Sequence, residues 1–119
     1  MSLARELQSG FSALQSAGIL GSINTAITAA GSTQAGGTAL AAANNIVTTA
    51  TEGQGVTLPL TMQPADVMEV VNNTSVDIYV YPGLAGKINN STANVPLMLA
   101  PNSGARFFCI DGTSWCVNK

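Results

Sequence analysis

The chain has 119 residues, of which 46% are hydrophobic, only 8% charged and none histidine, with a formal net charge of −2. That length suits one domain with a core of its own. The four basic residues, Arg5, Lys87, Arg106 and Lys119, are scattered, which excludes the basic patch that nucleic acid or an anionic membrane requires. Without histidine, no Ser-His or Cys-His nucleophile pair exists within the chain.

From Ser2 to Gln15 the apolar residues Leu3, Leu7, Phe11 and Leu14 are spaced by four, four and three, a helical stripe. Ser2 suits the N-cap and Glu6 the positive end of the helix dipole, while Gly10 weakens the helix and Gly18 and Gly21 end it. About four turns with a single apolar edge are marginal in isolation. The stripe must therefore bury itself on its own domain, on a sister chain or on another partner. Ser22 to Gly37 is small and polar, and Ala29 to Gly37 within it reads as a connector. The composition thus divides the chain into residues 1–35, a helix and connector arm, and residues 36–119, a β-domain.

The remainder reads as strands between turn residues. Thr38 to Ala50 holds one or two strands centred on Ile46-Val47-Thr48-Thr49, although the alanines of 39–43 also suit a helix. Val56 to Leu60 contains Pro59, which confines it to an edge or an irregular strand. Val67 to Val71 and Val76 to Tyr81 flank Asn72-Asn73-Thr74-Ser75, the pattern of a hairpin with a four-residue loop. In the second run Val76, Ile78 and Val80 alternate with Asp77, Tyr79 and Tyr81. A short strand at Lys87-Ile88 and another at Pro96 to Ala100 follow. The last unit pairs Ala105 to Ile110 with Ser114 to Val117 across Asp111-Gly112, a strong hairpin signal. Seven or eight short strands predict a mainly β fold, a small antiparallel β-sandwich or jelly-roll-like barrel with an N-terminal amphipathic helix.

Chemistry is sparse. The carboxylates Glu6, Glu52, Asp66, Glu69, Asp77 and Asp111 are dispersed and read as solvated or structural groups. Gly53-Gln54-Gly55 lacks the lysine and the following helix of a phosphate loop. Two cysteines without histidine do not complete a zinc site, so no metal or cofactor is expected. Cys109 and Cys116 admit a disulfide across the final hairpin, or serve as small apolar packing residues, the better fit to a reducing compartment. No run approaches the ~20 apolar residues of a membrane span, and the N-terminus lacks a signal-peptide core, so folding in a cytoplasm is expected. Tyr79, Tyr81 and Trp115 are candidates for an aromatic contact face toward a sugar or peptide; the alternative is a half-buried or subunit-facing set whose hydroxyls reach water.

An order of segments carries a resemblance. It runs Ile27-Thr28-Ala29-Ala30-Gly31-Ser32-Thr33-Gln34-Ala35, then Ala39-Leu40 and Asn45-Ile46-Val47-Thr48-Thr49, then Gly55-Val56-Thr57-Leu58-Pro59 and Ile78-Tyr79-Val80-Tyr81-Pro82. Lys87-Ile88-Asn89 and Phe107-Phe108-Cys109 before Trp115 complete it. Over about residues 26 to 117 the chain resembles small virion proteins of tailed bacteriophages, in particular head-decoration (cement) proteins. The resemblance implies a non-enzymatic subunit, a homotrimer, that sits on the major capsid protein and stabilises the shell. It does not cover the first 20 residues; the contact expected of Leu3, Leu7, Phe11 and Leu14 with a neighbouring subunit or the capsid follows from their own apolar stripe. The subunit's place would be the virion, assembled in the host cytoplasm. The alternative is a fibre or knob protein with a receptor- or glycan-binding role. Missing charge supports either, since an average soluble domain is roughly 25% charged. Residues 7 to 51 carry no charge at all and are the part expected to be covered by other subunits.

Overall fold

The computed structural model describes residues 22–60, 63–89, 91–111 and 114–118. The predicted helix with Leu3, Leu7, Phe11 and Leu14 lies outside the described residues, as does Gly112 of the last turn. Among the described residues there are ten strands: β1 Ile23–Thr28, β2 Thr38–Ala39, β3 Asn44–Thr49, β4 Gly55–Thr57, β5 Val67–Asn72, β6 Ile78–Tyr81, β7 Lys87–Ile88, β8 Leu97–Leu99, β9 Ser103–Cys109 and β10 Ser114–Asn118. The protein is mainly β, as its alternating runs and turn residues predict.

The strands form two sheets. One has six strands in the order β1-β3-β5-β9-β10-β7, the other four in the order β2-β4-β6-β8. Odd and even strands of the first half fall in different sheets, so the chain crosses between sheets after every strand. In both sheets these strands pair parallel: β1 with β3 and β3 with β5, then β2 with β4 and β4 with β6. The first half is thus a two-sided coil. After β6 the direction reverses, with β8 antiparallel to β6, β9 antiparallel to β5, and β9–β10 an antiparallel hairpin.

This corrects the expectation of an antiparallel sandwich or jelly roll. The decisive element is the link Asn72-Asn73-Thr74-Ser75, which does not fold β5 back on β6. Val70 pairs with Asn45 and Ala105 in one sheet, whereas Ile78 pairs with Leu99 in the other. Asn72 explains the crossing. Its side chain is fully buried, and its amide donates to the carbonyls of Val76 (2.8 Å), Leu99 (3.0 Å) and Ala100 (3.1 Å). Its Oδ1 accepts from the backbone N–H (3.1 Å) and hydroxyl (2.6 Å) of Thr74. One asparagine therefore satisfies the crossing segment and the facing sheet together, where orphaned carbonyls are costly.

Other local readings also change. Residues 23–28, placed in the N-terminal arm, are β1; Ile27 and Ala29 belong to the core. The alanines of 39–43 form no helix, because Leu40 turns into the core before β3 begins. Pro59 does not place its strand at an edge: β4 lies between β2 and β6, and the ladder ends with Leu58 N–H donating to Tyr81 O (2.8 Å), one residue before the missing donor. The final hairpin, β7 and β8 fall where the sequence places them.

Between the sheets lies one apolar core. Val47, Val70, Phe107, Met68 and Trp115 come from the six-stranded sheet, and Val56, Ile78, Val80 and Leu99 from the other. Replacing Asn72 with alanine removes the amide from the buried carbonyl of Leu99 and from the part-buried carbonyls of Val76 and Ala100. It should lower the unfolding free energy by about 2–4 kcal/mol in urea titrations. A loss below about 1 kcal/mol would contradict the role given to this side chain.

Candidate interaction surface

The coil gives the body two unlike rims. At the front rim, β2, β4 and β6 end and β1, β3 and β5 begin. At the back rim, the chain returns by 29–37, 50–54 and 73–77. The front rim gathers residues 40–43, 58–60, 63–66, 82–86, 89 and 91–96, the end of β9 and the start of β10.

Eight large apolar side chains are exposed among the described residues, and seven lie at the front rim. Ile23 (60% exposed) and Val67 open β1 and β5; Phe108 and Ile110 (51%) close β9 and leave it; Leu60 (50%), Leu84 (70%) and Val95 sit on three loops. Met98, in the middle of β8, is the eighth. Scattered single apolar residues are ordinary on a surface, but a one-sided concentration marks a contact face.

Specific bonds build the loop half of this rim. Gly83 lies so close to Leu60 that a Cβ there would overlap its side chain. Ala85 N–H donates to Asn94 Oδ1 (2.6 Å), and Asn94 N–H donates to Gly86 O (2.8 Å), so Leu84 and Val95 ride on mutually bonded loops. Ala85 (φ 65°) and Ala65 (φ 75°) hold the left-handed conformation, which costs an alanine about 1–2 kcal/mol. Both are in front-rim loops, and such strain is kept where the surrounding structure needs a particular loop shape.

The sheet half follows from register. Val67 pairs with Phe108 and Phe108 with Cys116, so the three share the outer face, and Ile110 follows by alternation. Two residues deeper, Arg106 makes Nε and Nη2 contacts of 3.1 and 2.9 Å with Glu69 Oε1. This exposed cross-strand pair is worth no more than about 1 kcal/mol.

The proposed aromatic face is not assembled. Trp115 is fully buried in the core from the inner face of the six-stranded sheet, while Tyr79 and Tyr81 lie on the outer face of the four-stranded one, rings 6.3 Å apart. Tyr81 is 8% exposed; its ring covers Gly55, where a Cβ would come within 2.9 Å, and its hydroxyl donates to Ser32 O (3.3 Å). The 31–37 loop is tied over it by Gln34 Nε2 donating to Pro82 O (2.7 Å). Tyr81 thus fastens a loop, and Tyr79 alone remains half-exposed. Nor does the last hairpin bring the two cysteines face to face. Cys109 pairs with Trp115 on the inner face, and Cys116 with Phe108 on the outer. Among the described residues, no group of three His, Cys, Asp or Glu side chains is placed to hold a metal ion, and no helix is long and apolar enough to cross a membrane.

The rim was missed in the sequence because its residues are single apolar letters spread from Ile23 to Ile110; only the coil brings them to one side. Comparisons with protein-family models, with curated proteins and with solved structures find no match.

Because Trp115 is core, Trp115→Ala should cost about 3–5 kcal/mol of stability. Tyr79→Ala should cost less than about 2 kcal/mol. Urea unfolding of the two variants checks this, and equal losses would contradict the separation.

Proposed function

We propose that this chain is a structural subunit that works by being covered: a decoration (cement) protein of a phage head, binding the outer shell as a homotrimer. The observation that supports this most is the loop half of the front rim, where Leu60, Leu84 and Val95 are exposed together on a chain with 8% charge. In this reading the two-sheet body carries an N-terminal amphipathic helix. Leu60, Leu84 and Val95 face a sister subunit or the major capsid protein.

The mechanism is passive. Burial of each exposed leucine contributes about 1–2 kcal/mol, and symmetry multiplies that contribution over every copy. Few ionic partners are desolvated, because few charges are present. The back rim and the outer face of the four-stranded sheet, where Glu52, Asp77 and Tyr79 lie, face solvent. The fibre-knob alternative has less to work with, since Trp115 is enclosed and Tyr81 is held under its loop.

Light scattering of the purified chain tests this reading. A stable trimer is expected. The triple variant Leu60→Ser, Leu84→Ser, Val95→Ser should keep the β circular-dichroism spectrum while associating at least about tenfold more weakly. A monomer at all concentrations, or a trimer unchanged by the triple variant, would count against it.

A further inference from the structure

We propose that the sheet half of the front rim is the seat of the chain's own N-terminal segment. Leu3, Leu7, Phe11 and Leu14 would lie across Ile23, Val67, Phe108 and Ile110. This stands apart from the assembly reading, which rests on the loop half.

The first argument is position. Ile23 is in register with Asn44, Asn44 with Glu69 and Glu69 with Arg106, so residue 22 leaves the sheet at the rim where Val67 and Phe108 are exposed. From β1 to β9 is three strand spacings, roughly 14 Å. A helical stripe from Leu3 to Leu14 spans about 16 Å, which matches the crossing from Ile23 to Ile110. The second argument is reach. Residues 16–21 extend up to about 20 Å, and Gly18 and Gly21 permit the chain to reverse. The third is chemistry, for a four-residue apolar edge needs an apolar seat, and the exposed side chains of this face supply one. A short tether also holds the stripe over its own sheet at an effective concentration on the order of millimolar, above what a second copy provides in dilute solution.

Cys116 gives the test, since it shares the outer face with Phe108 and is half-buried. In the full chain, Phe11→Cys is oxidised under dilute conditions and followed on non-reducing gels and by mass spectrometry. Ser9→Cys, off the stripe, and Phe11→Cys/Cys116→Ser serve as controls. An intramolecular disulfide between the introduced thiol and Cys116 is expected in the Phe11→Cys chain, forming about tenfold faster than the Ser9→Cys product. Cross-linked dimers alone would make a second copy the occupant and overturn the proposal, as would equal rates at the two positions. In a second measurement, alkylation of Cys116 in the otherwise native chain should speed up about tenfold on Leu7→Asp/Phe11→Asp. An unchanged rate would overturn it independently.

Discussion

Parallel pairing of β1, β3 and β5 in one sheet, and of β2, β4 and β6 in the other, is the constraint on which the rest of the molecule depends. Once β3 lies parallel to β1 and β5 to β3, the chain must return between each pair, and it does so through the other sheet. β4 and β6 then stack by the same rule. Every return therefore passes the back rim in one direction and the front rim in the other. The two rims receive different residues, and among the described residues the front one takes seven of the eight exposed large apolar side chains. The asymmetry of the surface is a consequence of how the backbone hydrogen bonds are closed.

Holding such a coil together needs polar groups at its corners, and asparagine fills that role in place of charge. Asn45 donates to Ala42 O (2.8 Å) and to Glu69 O (3.1 Å) on the next coil, just as Asn72 ties its crossing to the facing sheet. Their neutral amides avoid the desolvation that a buried ion would suffer. The arrangement is not fully satisfied: Asn45 Oδ1 and Trp115 Nε1 are buried without a partner, each carrying a penalty of about 1–3 kcal/mol. Low charge thus has two sources. The corners use amides, and the rim is apolar.

Much of the fold was legible from local chemistry. The β9–β10 hairpin, the Leu97–Leu99 strand and the mainly β class follow from turn residues and alternation. The coil did not, for two reasons. A four-residue polar link looks the same whether it folds a strand back within a sheet or carries it to the facing sheet, and only Asn72's distant partners Leu99 and Ala100 distinguish the cases. The coils also differ in length, Ile23 stacking on Asn44 and Asn44 on Glu69, so no repeat marks them in the sequence. β1 was hidden because Asn24, Thr25 and Ala26 resemble linker; its pairing with β3 outweighs weak propensity. Of the aromatic candidates, alternation correctly put Tyr79 and Tyr81 on one face, but the loop that covers Tyr81 arrives from residue 32, beyond the reach of any local pattern.

Nuclear Overhauser contacts between β3 and β5 test the central claim most directly. Backbone contacts in the parallel register are expected, Asn45 with Val70 and Ile46 with Val71, together with contacts between Val56 and Val80. Antiparallel cross-strand contacts linking Val71 to Val76 and Val70 to Asp77 would make residues 67–81 a hairpin. They would remove the coil and, with it, the reason for a single apolar rim.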